Sequence, residues 1–534
     1  MSTQSHVAAR DHESIDAFTP DVIIVGGGSA GCVAARRLID RGDARVLLLE
    51  CGGPDDNPAI HDPSRFPELW LAEEDWAYYT TPQAGAADRE LHWPRGRVLG
   101  GSGSLNAMIY VRGSEADYDH WAYLGNDGWG WSDVLAVFMR MEDFDAGPSD
   151  VHGEGGPLRI LTEYELAPIH ASIIAAADTI GIPRNRDYNC GHLDGISQHQ
   201  LTIKDGRRHS SAVAYLRPVA DHPNLRVVTR ATARRLLFEG SRCSGVEWEH
   251  DGRLRRTRAA AEVVLTAGAI GSPKLLLLSG VGAAEELAAV GIEVVHDLPG
   301  VGRNLHDHLL SPVIHSADRA IAPPAPGQSA TQTHLFARSR SGLRGPDTQP
   351  IHFAVPMYEP WMKGPENGFT LMAGMIRPAS RGSVRLVGAD PADPLRIDPN
   401  ILSASADLDA LAFSLAQVRE IAAAEPLRAQ WGVRELYPGP DVQTDAEIRD
   451  YIRRTAITYH HQAGTCKMGL DVDAVVDPRL RVHGIEGLRV ADASIMPAVI
   501  SGNTNAPSMM IGERVAEFIG AEHAAPSVTE PVVA

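Results

Sequence analysis

Residues 21–31 read DVIIVGGGSAG, and this stretch determines how the fold begins. Its first half, residues 21–26, is short, apolar and rich in β-branched residues, which is typical of a buried strand. A helical pattern follows over residues 29–41, and a second apolar run, RVLLLE, occupies residues 45–50. Strand, glycine turn, helix and strand in this order predict a βαβ unit.

The turn between the first strand and the helix carries the pattern GxGxxG at Gly26, Gly28 and Gly31. Glycines allow a backbone to approach a pyrophosphate, and the N-terminus of the next helix faces its negative charge. Glu50 ends the second strand, where a carboxylate suits a ribose hydroxyl pair and repels a 2′-phosphate. The unit therefore predicts binding of an adenosine diphosphate moiety, and it does not distinguish FAD from NAD.

The composition restricts the class of protein. The 534 residues are enough for one very large domain or for several ordinary ones. A net charge of −19 disfavours nucleic acid and anionic lipid as partners. The five cysteines are scattered with no CxxC spacing, which argues against a disulfide framework or a cysteine zinc site. With no apolar N-terminal core and no long apolar run, we expect a cytoplasmic protein without a membrane span.

Two further clusters of small residues lie later in the chain. Residues 96–106 (GRVLGGSGSLN) are too dense in small side chains to pack a core, which indicates that something large lies against their backbone. Residues 268–282 (GAIGSPKLLLLSGVG) read as a strand end, a helix that begins at Ser272-Pro273, and a glycine stop. We expect this segment to form a second βα turn in the same sheet.

The remaining patterns predict two antiparallel regions. Four short strand-like pieces within residues 225–268, divided by turns such as Asp251-Gly252, predict a small inserted meander. Three runs between residues 352 and 388 (HFAVPMY, FTLMAGM and SVRLVG) predict a second antiparallel sheet. Helical patterns follow at about residues 406–424 and 444–454.

Six ordered motifs across nearly the whole chain resemble the glucose-methanol-choline (GMC) family of FAD-dependent oxidoreductases. GRVLGGSGSLNAMIYVRG and GAIGSPKLLLLSGVG look like its two signature patterns. The similarity extends through VGRNLHDH, YHHQAGTCKMG, LRVADASIMP and SGNTNAPSMMIGER, at residues 301–308, 459–469, 488–497 and 501–514. Within the family the chain is most similar to the bacterial choline-dehydrogenase-like branch, which also includes oxidases of aromatic and furanic alcohols.

The resemblance implies an α/β fold with two discontinuous domains. A Rossmann-like FAD-binding domain is expected from residues 1–158, 201–311 and 460–525. A second, α+β substrate-binding domain, built on an antiparallel sheet, is expected from residues 159–200 and 312–459. Residues 526–534 are expected to form a mobile tail.

The resemblance also implies the chemistry, which is oxidation of a primary alcohol to an aldehyde by hydride transfer to flavin N5. His461 corresponds to the family's general base, and Asn503 to the group that holds the same oxygen. Imidazole can accept a proton near neutral pH, and an amide can donate to a developing alkoxide. The adjacent His460 is the alternative, because only one of two neighbouring side chains in an extended segment can face the flavin. The electrons would pass to O₂ or to another acceptor.

Other residues correspond to positions that contact FAD. Asn106 and Gly101 would lie by the ring, and Val228 by the adenine, although a core role fits Val228 nearly as well. The expected cofactor contacts are Gly26, Gly28, Ser29, Ala30, Gly31, Glu50, Arg97, Gly100, Gly101, Asn106, Ala107, Val228, Ala267, Asp492, Ala493, Asn503 and Asn505. Some relatives attach FAD through a His at the position of Leu105, so FAD is expected to bind non-covalently here.

Two features near the motifs are given structural roles. His306, Asp307 and His308 look like a metal triad, but no further ligand accompanies them, so we expect a structural or cofactor-edge role and no metal. Cys466 is expected to be a small buried residue.

The substrate and several alternatives stay open. No carboxylate with an aromatic cage is identified in residues 312–459, which argues against choline. Residues 350–375 fit an apolar, uncharged pocket, so we prefer an aromatic or heteroaromatic alcohol over choline or another aliphatic alcohol. An NAD-dependent dehydrogenase would share the GxGxxG and Glu50. A lyase that holds FAD as a structural part would use His461 for acid–base chemistry, and a flavin-binding sensor would need neither His461 nor Asn503. The sequence does not give the oligomeric state.

Overall fold

The computed structural model describes residue 15, residues 17–42 and residues 44–524. Strands in the first half of the chain are β1 Val22–Val25, β2 Val46–Leu49, β3 Tyr78–Tyr79, β4 His92–Trp93, β5 Glu142–Phe144, β6 Leu158–Ile160, β7 Gly195–Gln198, β8 Ile203–Lys204, β9 Arg207–Arg208, β10 Leu225–Val228, β11 Thr232–Glu239, β12 Arg242–His250, β13 Arg253–Arg258 and β14 Glu262–Leu265. Strands in the second half are β15 Val281–Gly282, β16 His296–Asp297, β17 Leu309–Ser316, β18 Thr331–Phe336, β19 Ile351–Phe353, β20 Gly368–Met375, β21 Ser383–Leu386, β22 Leu395–Asp398, β23 Arg434–Tyr437, β24 Ile457–Thr458 and β25 Leu488–Val490.

Helices surround these strands. They are α1 Ser29–Asp40, α2 Pro58–His61, α3 Glu115–Tyr123, α4 Trp131–Met141, α5 Pro168–Thr179, α6 Gly268–Leu278, α7 Ala284–Ala289, α8 Ser405–Ala423, α9 Glu425–Trp431, α10 Asp445–Thr455 and α11 Asn505–Ala524. Short 3₁₀ or π turns lie at Phe66–Leu69, Ala84–Ala86, Gly101–Ser104, Ala212–Leu216, Arg217–Val219 and Ala493–Ile495. No helix in the described part of the chain is both long and apolar enough to cross a bilayer.

A five-stranded parallel sheet, in the order β10-β2-β1-β14-β25, contains the predicted βαβ unit. The strands β1 (VIIV) and β2 (VLLL) are buried at every residue, as continuous apolar runs in parallel sheets usually are. Helix α1 connects them and packs on both, and α11 from the end of the chain packs on α1. The βαβ prediction is confirmed.

The meander is smaller than predicted. β11, β12 and β13 form it, and the turn Asp251-Gly252 has φ of 51° and 68°, as a two-residue hairpin requires. The outer two of the four predicted pieces, LRVV and AEVVLTAG, instead contain β10 and β14 of the parallel sheet. The sequence of a short apolar strand does not show which strand it pairs with. The prediction was therefore wrong for the first and the last piece of the meander.

The second βα turn is confirmed, because β14 lies beside β1 and leads directly into α6. The helix begins at Gly268, however, and not at Ser272-Pro273 as predicted. Asp492, which follows β25, accepts hydrogen bonds from the Gly268 amide at 2.9 Å and from the Ser272 hydroxyl at 2.6 Å. This distant carboxylate caps the first turn, so the helix starts earlier than its local sequence indicates.

The large antiparallel sheet has the order β23-β17-β20-β19-β18-β7, with β24 also paired to β17. The run SVRLVG does not join it, because β21 pairs with β22 in a separate hairpin. The predicted helices are present as α8 and α10, and α8 packs on β17 and β20. The C-terminal helix α11 continues past Gly520 to Ala524, while the expected tail at residues 526–534 lies outside the described residues.

Both faces of the large sheet are buried. On β20, Leu371 and Ala373 belong to the apolar core that includes the side chains of α8, whereas Met372 between them belongs to a cluster with Ile351 and Phe353. Successive side chains of a strand point to opposite faces, so one face packs on α8 and the other faces a cavity.

Candidate active site

A cavity of about 810 Å³ is lined by residues of both the parallel and the large antiparallel sheet. This volume is within the usual range for small-molecule and cofactor sites. The predicted site residues that line it are Gly26, Gly28, Ser29, Ala30, Glu50, Arg97, Gly101, Asn106, Ala107, Ala267, His461, Asp492, Ala493, Asn503 and Asn505. Residues from distant parts of the sequence are thus brought to one site.

Three predicted residues, Gly31, Gly100 and Val228, lie just behind this lining. A Cβ on Gly31 would lie 2.0 Å from the Gly26 carbonyl oxygen, so this glycine permits close packing of α1 on the turn. The Gly100 amide donates to the Gly27 carbonyl at 2.7 Å, and the Val228 carbonyl accepts from the Glu50 amide at 2.8 Å. These residues do not contact the cavity themselves, but they pack against or form hydrogen bonds with residues close to or in its lining.

Two glycine segments meet at the N-terminus of α1. Gly101 has φ of 56°, and a Cβ on it would lie 2.7 Å from the Gly28 Cα. The lining at this point is therefore backbone, and Gly28, Ser29 and Ala30 open the positive end of α1 onto the cavity. A helix N-terminus with this access is suited to a phosphate group.

Glu50 is held in place at the edge of the same region. Its two carboxylate oxygens accept from the amides of Gly27 and Gly52, each at 2.7 Å. Burial raises the pKa of Glu50 to about 7, and these two amides oppose that rise. Each oxygen keeps a second lone pair, so the carboxylate can also accept from a pair of hydroxyl groups.

The lining beyond α1 is fixed by buried polar side chains. The Asn505 amide donates to the Ser29 hydroxyl at 2.8 Å, which ties the start of α11 to the start of α1. The Arg208 guanidinium donates to Asn106 Oδ1 at 2.6 Å. Burial lowers the pKa of Arg208 to about 9.

The segment that carries His461 is anchored by Asp307. One carboxylate oxygen accepts from the His461 backbone amide at 2.8 Å, and the other accepts from the Thr458 hydroxyl and from Gln462 Nε2. Burial raises the pKa of Asp307 to about 6. The neighbouring His306 exchanges backbone hydrogen bonds with Ala463, so residues 306–308 and 458–463 are bound together along their length.

His461 forms hydrogen bonds with two side chains. The Asn503 amide nitrogen donates to His461 Nε2 at 3.2 Å, so Nε2 carries a lone pair. The ring proton is then on Nδ1, which donates to His308 Nδ1 at 3.0 Å. Burial, followed by the neighbouring His308, lowers the pKa of His461 well below its ordinary value. The arrangement holds a neutral imidazole with its basic nitrogen beside an amide donor.

His460 and His461 both line the cavity, which differs from the expectation for an extended segment. His460 has φ of 68°, so the chain turns at this residue and the rule of alternating faces does not apply. The His460 ring lies 5.2 Å from the Trp70 ring, and its carbonyl accepts from Arg95 at 2.6 Å. Asn503 contacts His461.

The wall opposite the glycine segments is made of side chains. Several are apolar, and apart from Ile109 they come from segments without a recognisable motif: Phe66, Trp70, Ile109, Leu310, Ile351, Phe353, Met357 and Met372. Two carboxylates also line this side, and of these Glu90 is exposed while Glu359 lies 4.0 Å from the Arg89 guanidinium. This wall therefore favours an apolar group.

The histidine and cysteine features near the motifs have structural surroundings. His306 Nε2 accepts from the Val499 amide at 2.8 Å, and His308 contacts His461. Across the described ranges, no group of three or more His, Cys, Asp or Glu side chains is arranged to hold a metal ion. Cys466 is completely buried, as expected.

Sequence reasoning missed three contributors to this site. For Asp307 the sequence predicts a structural or cofactor-edge role, but its specific role as the anchor of the His461 segment depends on a pairing that no local pattern shows. Gln349, which contacts Asn503, carries no motif at all. The apolar wall could have been found in part, because successive side chains of the strand FTLMAGM point to opposite faces, which leaves Met372 on the face away from α8.

A nucleotide-type cradle joined to a buried histidine and amide pair is suited to an oxidoreductase with a bound cofactor. Two GMC oxidoreductase family models match the chain, over residues 20–310 and residues 378–512. The chain belongs to the GMC oxidoreductase family, and its fold is that of the family, with an FAD-binding domain and a second sheet-based domain. It is therefore a flavoprotein that acts on CH–OH groups.

Individual relatives are similar over almost the whole chain. The human mitochondrial choline dehydrogenase is 40% identical, over 96% of this chain and 91% of its own length. The alcohol dehydrogenase [acceptor] of Pseudomonas putida is 40% identical, over 93% of this chain and 95% of its own. The crystal structure of pyridoxine 4-oxidase from Mesorbium loti is 37% identical and has a TM-score of 0.91, covering 95% of this chain and all of its own.

Proposed function

We propose that this protein oxidises a primary aromatic or heteroaromatic alcohol to the aldehyde, with non-covalently bound FAD. The observation that carries the proposal is the pair formed by His461 and Asn503. A neutral imidazole accepts a hydrogen bond from the Asn503 amide at its basic nitrogen, in a cavity whose opposite wall is apolar. An alcohol oxygen between the two groups would lose its proton to one and receive a hydrogen bond from the other.

The residues at the glycine end fit FAD. The backbone surface at Gly28 and Gly101, the open N-terminus of α1 and the carboxylate of Glu50 suit a pyrophosphate and a ribose. When bound, FAD supplies the acceptor for the hydride that leaves the alcohol carbon. Leu105, which also lines the cavity, offers no nucleophile for a covalent link. Acid precipitation should therefore release the yellow cofactor into the supernatant, and a yellow pellet would contradict non-covalent binding.

The chain's own residues handle the proton and exclude water. His461 Nε2 takes the hydroxyl proton, while Asn503 stabilises the negative charge that develops on the oxygen. His308 and Asp307 keep the imidazole ring and its backbone in place. The apolar wall would orient the carbon side of the alcohol. We expect O₂ or another acceptor to take up the two electrons that the alcohol loses.

The apolar wall supports an aromatic or heteroaromatic substrate. Phe66, Trp70, Phe353 and Met372 provide flat, uncharged contacts, and Glu359 is paired with Arg89. The similar oxidase is named for pyridoxine, which is itself a heteroaromatic alcohol. Choline or another aliphatic alcohol is the second candidate, because the human relative is a choline dehydrogenase and aromatic rings can hold a trimethylammonium group.

The test is the visible spectrum of the purified holoenzyme, mixed without oxygen with benzyl alcohol, furfuryl alcohol, choline or 1-butanol. Bleaching of the flavin band fastest by the first two alcohols would support the proposal, and fastest bleaching by choline would favour the second candidate. Recovery of the band when air is admitted would identify O₂ as an acceptor. A flavin band that no alcohol bleaches would argue for the lyase alternative, in which FAD stays oxidised.

A further inference from the structure

Gln349 lies directly behind Asn503 and is completely buried. Its side-chain nitrogen donates to Asn503 Oδ1 at 3.0 Å and to His334 Nδ1 at 3.2 Å. Its backbone amide donates to the Gly374 carbonyl at 3.0 Å, which fixes the residue against the large sheet. Gln349 therefore connects the antiparallel sheet to the amide that faces His461.

This contact determines which end of the Asn503 amide faces His461. An amide has a donor end and an acceptor end, and a donor placed at Oδ1 leaves Nδ2 directed at His461 Nε2. If the amide were reversed, its carbonyl oxygen would face the basic nitrogen and the substrate oxygen. The carbonyl oxygen of Asn503 could not donate a hydrogen bond to a developing alkoxide. It would also favour the tautomer of His461 that carries its proton on Nε2.

Packing alone does not explain a glutamine at this position. Within the part of the chain that the structure describes, Gln349 Oε1 and His334 Nε2 are buried and have no hydrogen-bond partner. A buried polar atom without a partner is costly, and an apolar side chain of the same shape would avoid that cost. The one group that Gln349 offers to the site is its donor to Asn503.

We propose that Gln349 is a positioning residue that holds the Asn503 amide in the orientation needed for alcohol oxidation. The proposal rests on the proposed function, because it assumes that Asn503 donates to the substrate oxygen. Gln349 would connect the large antiparallel sheet to the reaction. It would act through Asn503 and would not itself contact the reacting atoms.

The first test is a double-mutant cycle on the holoenzyme, with the rate of anaerobic flavin reduction by benzyl alcohol as readout. Gln349→Met keeps the shape of the side chain and removes the donor, so we expect reduction about tenfold slower, the contribution of one hydrogen bond. In the Asn503→Ala background the same change should slow reduction by less than about twofold, because the group it positions is gone. The apparent Kd for benzyl alcohol should change less than the rate.

Gln332→Met is the matched control. Gln332 is also completely buried, and it lies in β18 with its side-chain nitrogen bonded to Gln328 and Ser329, outside the cavity lining. It should lower thermal stability without slowing flavin reduction. A loss in this control as large as that in Gln349→Met would show that any buried glutamine has the same effect, and this would overturn the proposal.

The second test uses pH. In Gln349→Glu, the introduced carboxyl can donate to Asn503 Oδ1 when it is protonated, but it can only accept when ionised. Burial should raise its pKa, so reduction should be near the wild-type rate at acid pH and fall as the pH rises through that pKa. The wild-type enzyme should show no such decline at alkaline pH. The same pH dependence of the reduction rate in the variant and in the wild-type enzyme would contradict the proposal.

The outcomes separate this proposal from the one it rests on. If Asn503→Ala reduces flavin at the wild-type rate, or benzyl alcohol never bleaches the flavin, the proposed function fails and Gln349 loses its role with it. If Asn503→Ala is slow while Gln349→Met is normal, the proposed function stands and the positioning role is wrong. Equal losses from Gln349→Met in both backgrounds would also be evidence against action through Asn503.

Discussion

The two sheets that border the cavity present different chemical surfaces. The parallel sheet borders the cavity with main-chain atoms, at glycine segments where an added Cβ would collide with a neighbouring segment of the same chain. The large antiparallel sheet meets it with side chains such as Leu310, Phe353 and Met372. A surface of backbone tolerates little change in sequence, whereas a surface of side chains can be altered one residue at a time.

On the proposed function, this difference separates a general half of the site from a specific half. The glycine end suits groups common to many cofactors, namely phosphate and ribose. The wall of side chains would contact the alcohol, whose identity varies. We expect the reaction at His461 and Asn503, which line the cavity that the two surfaces share, and therefore at the boundary between them.

The boundary residue should give the largest effect. In His461→Ala we expect flavin to be retained and its anaerobic reduction to be slowed at least about a hundredfold, because the general base is lost. His460→Ala is the matched neighbour, and it should slow reduction by less than about tenfold, since His460 contacts Trp70 and not Asn503. Near-normal reduction in His461→Ala would exclude it as the base.

The two faces of β20 should separate stability from specificity. Leu371→Ala removes a completely buried side chain on the face toward α8, and it should cost about 2–5 kcal/mol of unfolding free energy. Met372→Ala enlarges the existing cavity and should cost less, while shifting the preference toward bulkier alcohols. Denaturant unfolding and flavin reduction by benzyl alcohol and a naphthyl analogue would measure both. Equal stability losses with unchanged preference would contradict the assignment of the faces.

The difference between the backbone surface and the side-chain surface also determines how much of the fold and of the site could be predicted from the sequence. The βαβ unit and the glycine cradle follow local rules, so the predicted residues Gly26, Gly28 and Glu50 do lie in the cavity lining. The partners of short apolar strands depend on distant segments, and the prediction for LRVV is therefore wrong about its sheet. Asp307 acts on a segment about 150 residues away in sequence, for which no local pattern exists.

Glycine positions on the backbone surface should be less tolerant than glycines elsewhere. Gly101→Ala adds a Cβ 2.7 Å from the Gly28 Cα, so it should force the two segments apart and lower the FAD content of the purified protein. Gly252→Ala is the control, because Gly252 also has a positive φ but faces open space. It should cost only the backbone strain of about 1–2 kcal/mol and leave FAD content unchanged. Similar FAD content in both variants would argue against a cradle at Gly101.

The smallest effect concerns pH and a histidine of the antiparallel sheet. His315 is buried in β17 and stacked on Phe369, and burial lowers its pKa to about 4. Between pH of about 6.5 and about 4 the unfolded chain binds a proton at this residue and the folded chain does not, so the unfolding free energy falls as the pH falls through this interval.

Between pH 7 and pH 6 this loss is about 0.7 kcal/mol for a single histidine. His315→Phe should remove it, so the variant's unfolding free energy should fall less over this interval than that of the wild-type protein. Urea unfolding at the two pH values would measure the difference. An identical pH dependence would show that His315 is not held neutral by the fold.

The parallel sheet is completed by segments that lie far apart in sequence. Its edge strand β25 and the helix α11, which packs on α1, come from residues 488–524, whereas β1 and α1 come from residues 22–40. On the ribosome, β1 and α1 must therefore wait until residue 524 has emerged before this edge strand and this helix are available. FAD loading should accordingly come late in synthesis, because Asp492, Asn503 and Asn505 also line the cavity.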